Sequence, residues 1–448
     1  MAGLFGTDGV RGEANRLLTP ELAVSLARAA AACLVPSGGR VIIGRDSRTS
    51  GPMLEAALAA GFASAGVEVG LAGIIPTPAI SFLIKDERAR LGAVISASHN
   101  PPEDNGIKFF DRSGCKLTAE GEEEIEAALR TSPAPSRRAA GIRRLKAAAT
   151  RYAAFLTGAI ESEDIDLSGL SIVMDCAHGA TGPIAPTVLR HLGAQVVELN
   201  TTPDGDRINV GCGSTHLETV RAAVAEHRAD LGLAFDGDGD RVLLVSAGGR
   251  TIDGDQVIGI VAEHWLERGL LSPRVVVTTV LSNYALERVL SERGVELVRT
   301  PVGDRNVAQA MIARGAKIGG EPSGHIIFAD HAPTGDGILT AVKLLEIAHE
   351  AKTDLESLAR RIPLYPQASR NLPCSHPEDL ARRPAARDHI ARAESALGGH
   401  GRVVVRPSGT QPLLRILVEA EDQALCDRTC EELATGLQSE IGLARERR

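Results

Sequence analysis

The sequence predicts an α/β protein of several domains, and three observations support this prediction. Strand-like and helix-like segments alternate along most of the 448 residues, which is typical of parallel α/β layers. A chain of this length exceeds a single hydrophobic core and indicates three or four domains. Three apolar strands each end in a short polar loop, and open α/β sheets bind ligands outside the carboxyl ends of their strands. We therefore expect three similar mixed α/β domains whose loops converge on one cleft, followed by a smaller α+β domain.

The first unit delivers a reactive hydroxyl to the end of a strand. Its predicted elements are helix 20–34, strand 40–44, helix 53–65 and strand 91–95. The last strand runs into Ser-Ala-Ser-His-Asn-Pro over 96–101, so Ser98 lies at its tip, with His99 beside it and Lys108 further on. Because Asn-Pro and Asn-Gly are turn dipeptides, an ordinary polar turn is the alternative for this stretch taken alone.

A linker is predicted after the first unit. Residues 131–139 are rich in Pro, Ser and Ala, and basic residues continue to Lys146. We interpret the arginines here as part of a solvated surface helix rather than a nucleic-acid-binding patch, because charge runs usually mark solvated faces.

The second and third units repeat the pattern. Their predicted elements are strand 171–175, helix 186–192, strand 195–199, helix 217–227, strand 231–235, helix 256–268 and strand 274–279. The second unit ends in Asp-Gly-Asp-Gly-Asp-Arg over 236–241, and the third ends in Glu-Pro-Ser-Gly-His over 321–325. From about Pro366 the pattern changes to strands 402–405 and 413–418 followed by one long helix, which indicates the small α+β domain.

The aspartate loop is the strongest indication of a metal site. Asp236, Asp238 and Asp240 alternate with glycines, and three carboxylates at this spacing repel one another unless a hard dication lies among them. An EF-hand loop needs Gly at its sixth position and Glu at its twelfth, where this chain has Arg241 and Ala247. Mg²⁺ completed by a phosphate oxygen suits three carboxylates best, and an acidic turn is the alternative.

A turn in the last domain has the composition of a phosphate site. In the segment Arg-Pro-Ser-Gly-Thr-Gln-Pro-Leu-Leu-Arg, Arg406 and Arg415 offer bidentate donors, while Ser408, Gly409 and Thr410 offer N–H groups and hydroxyls. A tight turn between strands is the alternative, because Ser-Gly-Thr alone is common.

Two turns near the start of the chain also carry arginines. Arg11 lies between glycines in Gly-Thr-Asp-Gly-Val-Arg-Gly over 6–12, which favours it as an anion ligand. Arg45 and Arg48, within Gly-Arg-Asp-Ser-Arg-Thr-Ser-Gly over 44–51, are better explained as surface ion pairs.

The loop over 321–325 offers acceptors that suit sugar hydroxyls. Glu321 supplies a carboxylate, Ser323 a hydroxyl and His325 an imidazole, on a loop that contains glycine. A lone histidine is often structural, so both interpretations of His325 stay open.

Composition argues against several classes of partner. The net charge of −8 disfavours nucleic acid, because binding a phosphate backbone needs a basic face. No apolar run reaches the roughly 20 residues of a membrane span, and no secretory segment follows Met1, so we expect no membrane partner. The seven cysteines include no Cys-x-x-Cys pair and fit reduced thiols in a cytoplasmic protein. Cys426 and Cys430 lie one helical turn apart and predict an apolar stripe.

These parts together favour phosphoryl transfer through a phosphoserine. A Ser-His-Asp hydrolase would have a Gly-x-Ser-x-Gly elbow and needs no metal, and a P-loop kinase would have Gly-x-x-x-x-Gly-Lys-Ser/Thr. A phosphatase, or a protein that senses sugar phosphates without turning them over, uses some of the same parts.

The order of the motifs resembles the α-D-phosphohexomutase family over essentially the whole chain. The residues that carry the resemblance are 4–12, 96–101, 236–241, 321–325 and 406–410. Segments 209–216, 302–305 and 334–337, and above all the opening Phe-Gly-Thr-Asp-Gly-Val-Arg-Gly, are similar to the branch that acts on glucosamine phosphate. Pro322 and Gln411 depart from this branch, which usually has Gln and Glu there.

The resemblance implies a heart-shaped enzyme of four domains around a central cleft, with boundaries at 1–152, 153–252, 253–365 and 366–448. It implies that Ser98 is phosphorylated, and that one Mg²⁺ is held by the phosphate on Ser98 together with Asp236, Asp238 and Asp240. Lys108, His99 and Arg11 would then serve catalysis. Contacts to the sugar phosphate are implied for Arg241, Glu321, Ser323, His325, Arg406, Ser408, Gly409, Thr410 and Arg415.

The implied reaction converts glucosamine 6-phosphate to glucosamine 1-phosphate through a bound glucosamine 1,6-bisphosphate, which also serves as activator. This reaction feeds UDP-N-acetylglucosamine and cell-wall synthesis. A phosphomannomutase or phosphoglucomutase with the same mechanism, or a non-catalytic paralogue that senses sugar phosphates, is the alternative. The resemblance also allows a homodimer.

Overall fold

The computed structural model describes residues 3–6, 8–131, 133–162, 165–408 and 412–446. The chain divides into two compact units. The first comprises Met1–Leu281 with Gly294–Arg361, and the second comprises Ser282–Arg293 with Ile362–Arg448.

Four sheets are built from the described residues. The first sheet contains β1 (Val10–Glu13), β2 (Arg40–Arg45), β3 (Glu68–Ile74), β4 (Leu91–Ile95), β5 (Asp104–Phe110) and β6 (Ile142–Arg144). The second contains β7 (Ser171–Asp175), β8 (Gln195–Leu199), β9 (Leu231–Phe235), β10 (Val242–Ser246) and β11 (Thr251–Ile252). The third contains β12 (Val275–Thr279), β13 (Glu296–Thr300), β14 (Ile318–Gly320) and β15 (Ile326–Phe328). The fourth contains β16 (Gln367–Pro373), β17 (Gly401–Pro407) and β18 (Leu413–Ala420).

Helices connect these strands. In the first part of the chain they are α1 (Pro20–Leu34), α2 (Gly51–Ser64), α3 (Thr77–Asp86), α4 (Ala119–Thr131), α5 (Ala148–Gly158), α6 (Ala185–His191), α7 (Glu218–His227) and α8 (Gly254–Glu267). The later helices are α9 (Tyr284–Glu292), α10 (Asp304–Arg314), α11 (Gly337–Ala351), α12 (Leu355–Arg360), α13 (Pro377–Arg382), α14 (Pro384–Ala396) and α15 (Gln423–Glu446). In the described part of the chain, no helix has the length and apolar character needed to cross a bilayer.

The first three sheets share one construction. Each has a parallel core, in the orders β4-β2-β3-β6, β9-β7-β8 and β13-β12-β14. In each, one strand of this core is followed by an antiparallel neighbour: β4 by β5, β9 by β10, and β14 by β15. The three polar loops of the sequence are therefore the three connections at the carboxyl ends of β4, β9 and β14. The fourth sheet is wholly antiparallel, in the order β16-β18-β17.

Most of the predicted elements are confirmed. The predicted bounds of α1, β4, β7, β8 and β9 match the structure, because these segments are long amphipathic or continuous apolar runs. α1 also begins as its sequence suggests, with Pro20 in its first turn and Thr19 Oγ1 accepting a hydrogen bond from the amide of Leu22 at 3.3 Å. The strands of each sheet come from one of the four predicted domain ranges, while the domain boundaries themselves stay a prediction.

One predicted element was wrong, and one alternative is excluded. Residues 142–144 form the edge strand β6, parallel to β3, and not a surface helix. The Asn105-Gly106 pair lies inside β5 and not in a turn. Gly106 is needed there because a Cβ would lie 2.3 Å from the carbonyl oxygen of Ser96, so the two backbones approach more closely than a side chain permits.

The second unit buries the predicted cysteine stripe. Cys426 and Cys430 of α15 are fully buried together with Leu433 and Leu437, and they pack with the inner face of the fourth sheet. The seven cysteines of the chain are all free thiols.

Candidate active site

Ser98 lies directly beyond β4 and is held in an unusual backbone conformation. Its φ of 53° is in the left-handed region, which costs a residue other than glycine about 1–3 kcal/mol unless the surroundings enforce it. The side chain is buried, and its Oγ donates a hydrogen bond to Asp236 Oδ2 at 2.6 Å. This contact joins the carboxyl end of β4 to the carboxyl end of β9.

The aspartate loop forms a dense carboxylate cluster. Asp236, Asp238 and Asp240 are all buried, and each offers an oxygen that lies within 4.8 Å of the others. Burial and the charges of the other two carboxylates raise the pKa of Asp236 well above its usual range. Asp238 Oδ1 and Asp240 Oδ1 are buried without any hydrogen-bond partner among the described residues. Buried oxygens without donors fit a hard dication such as Mg²⁺, which takes oxygen ligands.

One buried and two half-buried cations adjoin this cluster. Lys108, on β5, places its Nζ 3.0 Å from Asp238 Oδ2 and 3.0 Å from Asp8 Oδ2. Burial opposes the charge of this ammonium, but the two carboxylates raise the pKa of Lys108, so it carries its proton at neutral pH. Arg11 forms an ion pair with Asp8, and Arg241 places its Nε 3.7 Å from Asp240.

His99 is a neutral neighbour of the serine. Its Nδ1 lies 3.3 Å from Ser98 Oγ. Burial, then the positive charges of Arg241 and Arg11, lower the pKa of His99 to about 4. An imidazole with this pKa is a weak base, so the serine is not paired with the strong general base that a hydrolase triad requires.

The third loop contributes His325 and Glu321. His325 is buried, with Nδ1 at 3.4 Å from Asp240 Oδ2, while its Nε2 accepts a hydrogen bond from the amide of Gly335 at 3.0 Å. Burial opposes its charge, but Asp240 and Asp304 raise the pKa of His325. Glu321 Oε1 accepts a hydrogen bond from the amide of Gly303 at 3.2 Å. This loop therefore reaches the same carboxylate cluster as the other two.

Ser323 extends the third loop with a free hydroxyl. Its Oγ is buried and has no hydrogen-bond partner among the described residues. The three loops carry the hydroxyls of Ser98 and Ser323, four carboxylates, the guanidinium of Arg241 and two imidazoles. Lys108 of β5 and Arg11 of β1 add an ammonium and a second guanidinium, so this site of the first unit suits the transfer of an anionic group.

Family models match the chain in succession. They are Phosphoglucomutase/phosphomannomutase alpha/beta/alpha domain I over residues 2–135, domain II over 150–249, domain III over 253–365, and the C-terminal domain over 370–436. The chain belongs to the phosphoglucomutase/phosphomannomutase family. It is therefore an enzyme, an isomerase that moves a phosphoryl group within a sugar phosphate.

Individual relatives are similar over nearly the full chain. A protein named phosphoglucosamine mutase from Desulforudis audaxviator is 48% identical, over 97% of this chain and 97% of its own length. One of the same name from Carboxydothermus hydrogenoformans is 46% identical, over 97% of this chain and 98% of its own length. Among solved structures, a phosphoglucomutase/phosphomannomutase family protein from Burkholderia thailandensis has a TM-score of 0.82 and 26% identity, with 98% of each chain covered.

The predicted phosphate residues of the last domain lie in the second unit. Arg406 and Arg415 are directly opposite each other on β17 and β18. Burial and then the charge of Arg415 lower the pKa of Arg406, and Arg415 Nε is buried without a partner among the described residues. Two like charges in register are destabilising unless an anion lies between them. The amide of Ser408 donates to the carbonyl of Leu413 at 2.9 Å, while Gly409 and Thr410 lie outside the described residues.

The sequence analysis did not identify a second layer of charged side chains behind the cluster, formed by Asp8, Lys116 and Asp304. Lys116 forms ion pairs with both Asp8 and Asp304. Thr77, at the start of α3, donates from Oγ1 to Asp238 Oδ2 at 2.6 Å and from its amide to the carbonyl of Asp238 at 2.8 Å. The Gly-Thr-Asp-Gly turn could have indicated Asp8, but no local pattern marks the other residues.

The interpretation of Arg48 as a surface ion pair was wrong. Its side chain is fully buried and donates to backbone carbonyls of the Ser98 loop. Arg45 does form an ion pair, with Glu55 at 3.6 Å.

The carboxylate cluster predicts that replacing Asp236 stabilises the metal-free protein and removes the further stabilisation that Mg²⁺ gives. Because the folded state raises the pKa of Asp236, ionising this carboxyl costs stability; the cost is absent at low pH and grows as the pH rises above about 4, the ordinary aspartate value. In chelator at pH 7.5, Asp236→Asn should therefore melt about 2–4 °C above the wild type, and this advantage should shrink towards pH 4. Added Mg²⁺ should raise the Tm of the wild type and have little effect on the variant.

The matched control is Asp330→Asn, since Asp330 is exposed and forms a surface ion pair with Lys317. It should respond to Mg²⁺ as the wild type does. An Asp236→Asn protein that melts below the wild type in chelator, or that gains as much from Mg²⁺, would contradict the prediction.

Proposed function

We propose that this enzyme interconverts glucosamine 6-phosphate and glucosamine 1-phosphate through a phosphorylated Ser98 and a bound glucosamine 1,6-bisphosphate. The observation that carries the proposal is the 2.6 Å hydrogen bond from Ser98 Oγ to Asp236, inside a buried carboxylate cluster beside Lys108. The choice of sugar is supported by the relatives named phosphoglucosamine mutase, at 46% and 48% identity over nearly the whole chain.

The proposed chemistry moves one phosphoryl group in two steps. The bond between phosphorus and Ser98 Oγ breaks while O1 of glucosamine 6-phosphate forms a bond to phosphorus, and the proton lost by O1 is balanced by the proton that Ser98 Oγ gains. The bisphosphate then turns round, Ser98 Oγ forms a bond to the phosphorus on O6 and gives up its proton, and the bond from phosphorus to O6 breaks as O6 gains a proton. The sugar leaves as glucosamine 1-phosphate, and the phosphoserine is restored.

The residues near the serine act by charge and position, which are the main needs of phosphoryl transfer. Asp236, Asp238 and Asp240, with the phosphate on Ser98, would hold one Mg²⁺. When bound, this ion neutralises negative charge on the phosphoryl oxygens.

Positive side chains complete the neutralisation. Lys108 and Arg241 contact carboxylates of the cluster as cations, and Arg11 pairs with the neighbouring Asp8. His99, with its pKa of about 4, is neutral and can accept a hydrogen bond. His325 accepts the amide of Gly335 at Nε2, so its ring proton lies on Nδ1 and faces Asp240.

The sugar and its second phosphate need separate contacts. Glu321 and Ser323 offer acceptors for sugar hydroxyls. In the second unit, Arg406 and Arg415, with Ser408, Gly409 and Thr410, would bind the phosphate that is not reacting.

A phosphomannomutase or phosphoglucomutase is the second candidate. The observation that favours it is Pro322, which departs from the glutamine usual in the glucosamine branch and lies in the proposed sugar loop. Assembly as a homodimer and a cytoplasmic location are further parts of the proposal, and the free state of all seven cysteines fits a reducing compartment.

A substrate panel tests the proposed sugar. With Mg²⁺ and the matching bisphosphate as primer, we expect kcat/KM for glucosamine 6-phosphate to exceed that for the mannose and glucose phosphates by at least about tenfold, a difference of about 1.4 kcal/mol in transition-state binding. The higher value for mannose or glucose would decide for the second candidate. No turnover of any of the three would overturn the mutase itself.

Ser98→Ala tests the phosphoserine. Turnover should fall at least about a thousandfold, since loss of a nucleophile removes the covalent step, while binding of the bisphosphate should change little. Intact mass after priming should show one phosphoryl group on the wild type and none on the variant. The control is Ser25→Ala, because Ser25 is exposed on α1. Full activity in Ser98→Ala would rule out the phosphoserine route.

Arg406→Ala tests the phosphate site of the second unit. We expect substrate binding to weaken by about 1.5–3 kcal/mol, the usual worth of a hydrogen bond to a charged group, seen as a higher KM. Arg370→Ala is the control, because Arg370 lies on β16 of the same sheet and pairs with Glu431 at the surface. An unchanged KM in Arg406→Ala would remove this residue from the phosphate site.

A further inference from the structure

The backbone of the Ser98 loop is held by two side chains that take no part in the proposed chemistry. The carbonyl oxygen of Ser98 accepts hydrogen bonds from Arg48 Nη2 at 3.1 Å and from Asn209 Nδ2 at 2.8 Å. The carbonyl oxygen of Asn100 accepts from the same two nitrogens, at 2.8 and 3.0 Å. We call Arg48 and Asn209 the carbonyl clamp.

Arg48 reaches the loop along its whole length. Its Nη1 donates to the carbonyls of Asp104, at 2.7 Å, and of Pro101. Its Nε donates to Asp46 Oδ2 at 3.0 Å, and this carboxylate also accepts from Ser96 Oγ at 2.6 Å. The guanidinium is planar, fully buried and bonded at each of its nitrogens, so it can take only one orientation. It therefore fixes the path of the loop.

A second chain of bonds runs from Asp46 to the other side of the serine. Ser96 Oγ, which donates to Asp46, accepts the amide of Ser98 at 2.8 Å. The amide and the carbonyl of Ser98 are therefore both tied to the Asp46–Arg48 pair. Because its amide and its carbonyl are both held, Ser98 keeps its left-handed φ of 53°.

Asn209 brings the second half of the clamp from a different sheet. It begins the segment 209–216, which follows β8 and which the proposed chemistry does not use. The carboxylate of Asp175, at the end of β7, anchors this segment by accepting the amides of Ala177 and Gly213, both at 2.9 Å. The amide of Asn209 donates to the carbonyl of Ala177 at 3.1 Å, so its side chain comes from a fixed base.

The clamp also contacts the aspartate loop. A Cβ on Gly237, between Asp236 and Asp238, would lie 2.8 Å from the carbonyl of Ser98 and 2.9 Å from Asn209 Nδ2. The absence of a side chain at Gly237 therefore lets the aspartate loop pack directly against the clamped serine. A shift of the clamp would therefore move the serine and change the 2.6 Å contact between Ser98 Oγ and Asp236.

We propose that Arg48 and Asn209 are positioning residues for phosphoryl transfer, which hold Ser98 in its left-handed conformation and aim its Oγ into the carboxylate cluster. The inference rests on the proposed function. Neither residue touches the reacting atoms, and neither side chain is directed at the substrate contacts proposed above. Loss of the clamp lets the serine turn towards an ordinary backbone conformation, and a displacement of about 1 Å can cost about a hundredfold in rate.

Asn209 allows a test with matched substitutions. Asn209→Asp keeps the size of the side chain but replaces the donor with a carboxylate that repels both carbonyls. Asn209→Gly removes the donor and tolerates the backbone, whose φ is 62°. Asn15 is the control, because it has the same φ of 62° and is exposed, so Asn15→Asp and Asn15→Gly reproduce the chemical changes away from the loop. Arg48→Lys keeps the charge beside Asp46 but loses the fork.

The expected result is a fall in kcat with little change in binding. For both Asn209 variants and for Arg48→Lys, kcat should fall about 10- to 100-fold, KM should stay within about twofold, and the rate at which primer phosphorylates Ser98 should fall with kcat. Thermal melting should remain within a few degrees of the Asn15 variants, whose kcat should match the wild type.

Two results would overturn the clamp while leaving the mutase intact. One is a kcat in Asn209→Asp and Asn209→Gly equal to that of the Asn15 controls. The other is a loss of kcat that merely follows the loss of folded protein in all three clamp variants. A wild-type protein with neither mutase activity nor phosphoserine would instead overturn the proposed function, and the clamp with it.

Discussion

The contact between Ser98 Oγ and Asp236 is the interaction on which the rest of the site depends. It joins the carboxyl ends of β4 and β9, which belong to different sheets, and it can form only when both loops are fully ordered. The serine must adopt a left-handed backbone conformation to make it, and the aspartate must stay buried among two further carboxylates. Both conditions cost free energy, so the surrounding residues are arranged to meet that cost.

The carboxylates that lie behind the cluster are each paired with one or more cations. Asp8 lies between Lys108, Lys116 and Arg11, and burial, which opposes its charge, is outweighed by these cations, which lower the pKa of Asp8 well below its usual value. Asp304 shares Lys116 in the same way. Asp238 and Asp240 differ, because each keeps one buried oxygen that receives no hydrogen bond from the part of the chain that the structure describes. The carboxylates behind the cluster are therefore neutralised by cations. The centre of the cluster keeps an excess of negative charge, and an additional cation fits there.

The sequence predicted those parts of the structure whose signal is local. β4 and β9 are continuous apolar runs buried on both faces, so their ends, and with them Ser98 and the aspartates, could be located closely. β6 has only three residues, all exposed at a sheet edge, and no local pattern separates such a strand from a charged loop. Arg48 was misjudged for a related reason. An arginine in a polar turn is usually solvated, and its burial results from a loop about fifty positions away that folds over it.

In this site, the residues that neutralise charge differ from the residues that hold the serine loop in place. Lys108 and Lys116 are bound to Asp238 and Asp8, so the positions of these cations would respond to any change in the charge of the site. Among the described residues, the side chains of the carbonyl clamp bond to backbone carbonyls and to Asp46, and not to a carboxylate of the cluster. Arg48 is paired with Asp46 and Asn209 is neutral, so in the proposed reaction both would hold the loop in either state of Ser98. In the proposed reaction the serine must be equally well placed before and after it gives up a phosphoryl group. Hydrogen bonds to the backbone of its loop can meet this need, because the backbone carbonyls do not change when the phosphoryl group leaves.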